Sequence, residues 1–210
     1  MFRKIIPVIL ADDIKDFKEK HEVISSFSDE IQIDIVDGEF VDNKTVTLEE
    51  INELDEDKIY EAHLMVKNPL EYLGECRRLG IKRIAFHSEI EGDLEKIIDK
   101  IKDQGFEIVL AINPETNIAD MDMYAKKINR VLLLSVEPGF GGQKMISGVL
   151  DKAKKLREKY EDLIIEIDGG VNVNNIGEVF SSGVNVACIG SGILKAKNPR
   201  EAWERLKKFE

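Results

Sequence analysis

The stretch 31–36, IQIDIV, reads as a β-strand with Ile31, Ile33 and Ile35 on one face. The strand period of two places Gln32 and Asp34 together on the opposite face. An amide and a carboxylate aimed the same way from a core strand are candidates for chemistry. Comparable side chains stand at the ends of other apolar runs: His63 in EAHLMV, His87 after RIAF, Ser135 and Glu137 after VLLL, and Asp168 before Gly169 and Gly170. Glycine clusters accompany them. Gly139, Gly141 and Gly142 surround Phe140, Gly169 and Gly170 are adjacent, and Gly190 and Gly192 flank Ser191. Glycine lets backbone N–H groups approach an anion closely, and a helix starting just beyond adds a favourable dipole. These clusters point to phosphate binding.

Elements must carry these residues to one place. Short β-branched runs alternate with longer charged, amphipathic ones. Strands are expected at 4–10, 31–36, 59–65, 82–87, 107–112, 130–136, 163–168 and 185–189. Helices are expected at 13–25, 69–79, 93–104 and 147–160, with shorter ones at 47–54, 117–126 and 173–182. Val149, Leu150, Ala153 and Leu156 recur at helical spacing. Gly80 and Gly105 suit left-handed helix ends, and Pro69 and Pro199 suit helix starts. Eight strand–helix units of about 25 residues predict a closed (β/α)8 TIM barrel, with a doubly wound open sheet as the competing arrangement. No linker or low-complexity tract interrupts the chain, so 1–210 is read as one domain. Barrel active groups sit at the C-terminal ends of strands, and phosphate sites commonly follow strands seven and eight. The unusual residues fall there.

Taken singly, each has a plainer explanation. A strand-end Asp can cap a helix, His87 can be a hydrogen-bonded structural residue, and His21, among charged residues, is expected to be exposed. Asp13 fits a helix cap, and Asp37 with Gly38 fits a turn. Two carboxylates and a histidine reaching one rim from separate strands are hard to explain as caps. The net charge of −11 disfavours nucleic acid as a partner, whereas an anionic small molecule can still be held locally by backbone amides. The 43% hydrophobic content suffices for a continuous core. Cys76 and Cys188 lack metal-type spacing and fit reduced thiols of a cytoplasmic protein. No apolar run is long enough to span a membrane, and the apolar part of MFRKIIPVIL is short for a signal peptide.

In order and spacing, PVILADD, IDIVDGEFVDN, HLMV, SVEPGFGGQK, EIDGGVN and GSGI resemble the ribulose-phosphate 3-epimerase family over about residues 7–193. VEPGFGGQ and the DGG motif are the most specific parts. The resemblance implies a phosphate-binding (β/α)8 barrel that interconverts D-ribulose 5-phosphate and D-xylulose 5-phosphate, or epimerises a related ketose phosphate. It implies Asp34 and Asp168 as an acid/base pair on opposite faces of substrate carbon 3, working through an enediolate. It implies a divalent metal (Zn, Fe, Mn or Mg) held by two Asp and two His, of which His63 matches one. His63, Gly139, Phe140, Gly141, Gly142, Gly169, Gly170, Gly190 and Ser191 match positions that contact substrate and phosphate. The segment after strand six resembles the family's lid, and a homo-oligomer is expected.

The sequence also departs from the family pattern. Gln32 stands where the family usually has its first metal His, which makes it a weaker fourth ligand. Val8 and Ala11 replace two Ser, Val36 and Leu134 replace two Met, and Asp42 replaces a Pro; all these changes are expected on or near the site. Two alternatives stay open: epimerisation of another ketose phosphate such as a hexulose 6-phosphate, or non-catalytic sugar-phosphate binding on a decayed frame. The Asp-x-Lys-x-x-Asp signature of hexulose-phosphate synthases is absent.

Overall fold

Eight parallel strands close into a barrel in chain order in a computed structural model describing residues 2–210. The strands are β1 (Lys4–Leu10), β2 (Glu30–Val36), β3 (Ile59–Met65), β4 (Arg83–His87), β5 (Glu107–Ile112), β6 (Arg130–Leu134), β7 (Ile164–Asp168) and β8 (Val186–Ile189). The helices are α1 (Ile14–Ser25), α2 (Leu73–Arg78), α3 (Leu94–Asp103), α4 (Val149–Lys159), α5 (Ile176–Ser181), α6 (Ser191–Leu194) and α7 (Pro199–Lys207). The open-sheet alternative is thereby excluded. No helix among the described residues is long and apolar enough to cross a membrane.

The alternation seen in IQIDIV sorts the whole barrel. Ile31, Ile33, Ile35, Ala62, Leu64, Ile84, Phe86, Ile165 and Ile167 join the large core between strands and helices. Fully burying one such aliphatic side chain contributes about 1.5–3 kcal/mol. The other face of each strand points inward, where Ile6, Val8, Ala85, Val109, Ala111, Leu132, Val186 and Cys188 form a separate apolar cluster. Beneath it lies an ionic floor. Arg83 donates to Glu61 (2.8 Å) and Glu30 (2.9 Å), Arg130 donates to Glu166 (2.8 Å), and Lys4 pairs with Glu30. Glu61 and Glu166 are wholly buried.

The helix signals act as expected at several ends. The Asp13 carboxylate accepts from the Asp16 N–H at 2.8 Å, Asp93 caps α3 through Lys96, and Pro199 opens α7. Gly80 and Gly105 adopt φ of +70° and +84° after α2 and α3. The segment 69–79 divides into a 3-10 turn and α2.

Other expectations are corrected. The 47–54 segment is not a helix. Its carbonyls at Leu48, Ile51 and Asn52 accept from the Arg78 guanidinium at 2.8–2.9 Å, replacing intrahelical bonds. The 117–126 segment forms only a 3-10 turn at Ile118–Met121. Strand six ends at Leu134, although Ser135 still donates its N–H to the Asp168 carbonyl at 2.7 Å. His21 is half-buried, stacked between Phe17 and Tyr60, with Nε2 2.7 Å from the Tyr60 hydroxyl. The apolar ring faces below it outweigh the charged neighbours in sequence.

Candidate active site

Parallel register brings the inward polar residues to one level. Asp34 pairs across strands with His63, Asp168 with Cys188 and Leu134, and Gln32 with Val8 and Glu61. The side chains of β7 and β2, which stand apart in the wall with β8 and β1 between them, then meet in the lumen. Gln32 Nε2 donates to Asp34 Oδ1 at 2.9 Å and to Asp168 Oδ2 at 2.7 Å. His63 Nδ1 lies 3.2 Å from Asp34 Oδ1 and 3.8 Å from Asp168 Oδ2. One ligand atom each from Asp34, His63 and Asp168 fall within 4.8 Å of one another. Gln32 Oε1 is buried and has no hydrogen-bond partner.

Behind His63 stands a second layer. His63 Nε2 lies 3.0 Å from His87 Nε2, and the two rings stack with centroids 5.2 Å apart. His87 Nδ1 lies 3.3 Å from Glu89 Oε2. Glu89 Oε1 accepts the Asn113 N–H at 2.8 Å and the Thr116 hydroxyl. Phe40 covers the His87 ring.

Burial dominates the electrostatics. It pushes Asp34 up to about 7, against the Gln32 hydrogen bond and the field of His87. It also pushes Asp168 up to about 7, reinforced by the neighbouring Asp34 charge. Burial lowers both His63 and His87. Glu89 goes the other way: burial raises it, but the hydrogen bonds from His87, Thr116 and Asn113 prevail and hold it at about 2. Carboxyls that titrate near neutrality can both hold and release a proton there.

A cavity of about 680 Å³ opens directly above these groups. Asp34, His63 and Asp168 line its base, while Gly139, Phe140, Gly141, Gly142, Gly169, Gly170, Gly190 and Ser191 line its wall. Glu137 lines it too, whereas three sequence-selected residues do not: Gln32 lies beneath the carboxylates, His87 stands behind His63, and the Ser135 hydroxyl lies against the Asp168 and Gly169 carbonyls. At Gly170 (φ +66°) an added Cβ would fall 2.3 Å from the Met145 backbone nitrogen, so only glycine admits that close passage of chain. The 139–142 loop is tied across the mouth. Asn43 Nδ2 donates to the Gly139 carbonyl at 2.5 Å, and Gln143 donates to the carbonyls of Glu137 and Phe140. Of the departures from the family pattern, Val8 and Leu134 line the cavity, whereas Ala11, Val36 and Asp42 do not. The Ala11 carbonyl is engaged by Val46, the Val36 N–H by Thr45, and Asp42 points to solvent.

Sequence reasoning placed His87 among the strand-end candidates, with a structural role as its plainer reading, but missed two contributors. Glu89, two residues on, carried no signal of its own. Lys195 also lines the cavity, beside Gly142, and only the barrel closure brings it there.

The model of the ribulose-phosphate 3-epimerase family matches residues 4–194. Ribulose-phosphate 3-epimerase of Helicobacter pylori (strain ATCC 700392 / 26695) is 33% identical over 210 residues, covering 97% of this chain and 96% of the relative. The cytoplasmic isoform of Oryza sativa subsp. japonica is 34% identical over 212 residues, covering 98% and 93%. Among solved structures, KGPDC from Streptococcus mutans aligns with a TM-score of 0.72 at 17% identity, covering 100% of this chain and 97% of that one. The 3-hexulose-6-phosphate synthase of Salmonella typhimurium aligns at 0.73 and 13% identity, covering 98% and 97%. At such identities the structures establish the barrel alone. The family match and the relatives span nearly the whole chain, and the chain belongs to the ribulose-phosphate 3-epimerase family, whose named members are isomerases.

Proposed function

We propose that the protein epimerises a ketose phosphate at carbon 3, interconverting D-ribulose 5-phosphate and D-xylulose 5-phosphate. The observation that carries this reading is the pair Asp34 and Asp168, bridged by one Gln32 amide at the base of a glycine-walled cavity. One carboxylate takes the proton from carbon 3, and the C–H electron pair moves into the adjacent carbonyl to give an enediolate. The other carboxyl delivers its proton to the opposite face of carbon 3 as the carbonyl re-forms. The pair then stands with protonation exchanged, ready for the reverse reaction. Burial supports this cycle, because it keeps a proton available on an Asp near neutral pH. The N–H groups around Gly169, Gly170, Gly190 and Ser191 suit the phosphate.

The donor set fits a divalent ion. Asp34, Asp168 and His63 Nδ1 would hold it; Gln32 turns its amide nitrogen to these groups and would become a fourth and weaker ligand only with the amide reversed to present its unpartnered oxygen. Oxygen-rich donors favour a hard ion such as Mn²⁺ or Mg²⁺ over Zn²⁺ or Fe²⁺. A bound cation supplies electrostatic stabilisation of the enediolate charge.

The test is incubation of the protein with D-ribulose 5-phosphate in deuterated water, with Mn²⁺, Mg²⁺, Zn²⁺ or Fe²⁺, followed by NMR. Deuterium at carbon 3 of both epimers is expected. No exchange with any metal, while inorganic phosphate still binds, would replace this reading by non-catalytic sugar-phosphate binding. Exchange on a hexulose 6-phosphate alone would move the substrate to six carbons.

A further inference from the structure

Glu89, His87 and His63 form a hydrogen-bonded row from the β4–β5 side of the barrel, and His63 Nδ1 at its end lies against the paired carboxylates. Both rings are wholly buried, and the nitrogens 3.0 Å apart leave no room for a water between them. One of the two must carry a hydrogen. The direction of the row is set at its far end. Glu89 accepts from the Asn113 N–H and the Thr116 hydroxyl, the environment of an ionised carboxylate. An ionised carboxylate only accepts, so the hydrogen between Glu89 and His87 belongs to His87 Nδ1. A neutral imidazole has a single N–H, which leaves His87 Nε2 bare. The hydrogen between the rings therefore sits on His63 Nε2, and His63 turns a bare Nδ1 lone pair toward Asp34 and Asp168.

That lone pair faces carboxylate oxygens at 3.2 and 3.8 Å. The arrangement is repulsive unless positive charge, an N–H or a carboxyl proton lies among the three. Gln32 Nε2, 3.5 Å from Nδ1 and bonded to both carboxylates, supplies an N–H there. The reverse row, with His63 donating from Nδ1 to Asp34, would set a bare His87 Nδ1 against the Glu89 carboxylate.

We propose that Glu89 and His87 are positioning residues that fix His63 in its Nε2–H tautomer and so make the barrel mouth a cation site. The inference deepens the reading of Asp34, Asp168 and His63 as cation-holding groups and rests on it.

The chain has only three histidines, His21, His63 and His87, so ¹⁵N long-range correlation NMR of the metal-free protein can resolve every ring. His87 is expected protonated at Nδ1 and His63 at Nε2. Glu89→Gln keeps an oxygen for Asn113 and Thr116 but can present its NH₂ to His87, reversing the row. It is expected to move the His63 proton to Nδ1 and to weaken Mn²⁺ binding, read from free Mn²⁺ by EPR, about 10- to 100-fold. Glu89→Asp is expected to restore the parent tautomer. A parent His63 protonated at Nδ1 overturns the proposal, and so does Mn²⁺ binding that is absent or indifferent to Glu89→Gln. The parent measurement decides the tautomer even if the variant fails to fold. A parent with these tautomers and Mn²⁺ affinity but no epimerisation would remove the proposed activity and leave this inference standing.

Discussion

At the floor of the barrel Glu61 and Glu30 meet Arg83, and Glu166 meets Arg130; at the mouth Asp34 and Asp168 meet each other across Gln32. Both regions bury carboxylates on the same inward face of the same strands. The floor supplies guanidinium partners, even though burial and the Glu61 charge still push Glu166 up to about 8 against Arg130. The mouth supplies none: no lysine or arginine among the described residues pairs with Asp34 or Asp168. An acid pair left without a protein cation, opening on a cavity, is arranged for a ligand or a proton. An acid pair enclosed by arginines is arranged to hold strands together. Residue type and burial are alike in the two places, and the partner makes the difference.

The sharpest way to break the comparison is at the mouth. Asp168→Asn is expected to lower turnover of ribulose 5-phosphate by about 10²–10⁴-fold, the usual worth of a positioned acid or base. The thermal midpoint should hold or rise, since a desolvated carboxyl is replaced by a neutral isostere. A large loss of stability instead would place Asp168 with the floor. The matching change at the floor is Arg83→Met, which strands the buried Glu61 and leaves Glu30 only Lys4. It is expected to cost about 3–5 kcal/mol in denaturant unfolding, as for a broken buried ion pair. The folded fraction should keep its turnover.

The smallest effect is read by pH. Asp34 and Asp168 rise from 3.8 to about 7 on folding without a cation, so the folded state binds more protons than the unfolded chain between those values. Metal-free stability should therefore decline as pH rises from about 4 to about 7. Mn²⁺ needs the same carboxylates ionised, so protons compete with it. Its affinity should increase across pH 6–8, by up to about 100-fold if both protons leave, and then level off. Calorimetric titration at three pH values checks this, and a flat profile would mean that the cation does not use both carboxylates.

Much of the frame was legible because it depends on neighbours in sequence. Strand parity placed Gln32 and Asp34 on one face, and the caps at Asp13 and Asp93 and the glycine ends at 80 and 105 obey local backbone rules. The failures were all non-local. The 47–54 segment has helical spacing, but Arg78, about 30 residues away, takes its carbonyls. His21 lies in a charged stretch, yet Tyr60 on β3 buries one side of it. The three departures at Ala11, Val36 and Asp42 are close to motif residues in sequence and still miss the cavity wall.

By itself, the sequence determined that carboxylates, an imidazole and glycine loops would sit at the C-terminal ends of strands, because alternation and turn chemistry are properties of a few consecutive residues. It also made Gln32 a residue of interest. Only the tertiary structure decided what each group faces. Closing the barrel turns the inward side chains of β7 and β2 toward one another, so that the amide bonded to Asp34 also reaches a carboxylate 136 residues away. It also sets His87 and Glu89 behind His63, which turns a strand-end histidine into the end of a directed hydrogen-bond row. Such contacts follow from stagger and closure, and no local pattern encodes them.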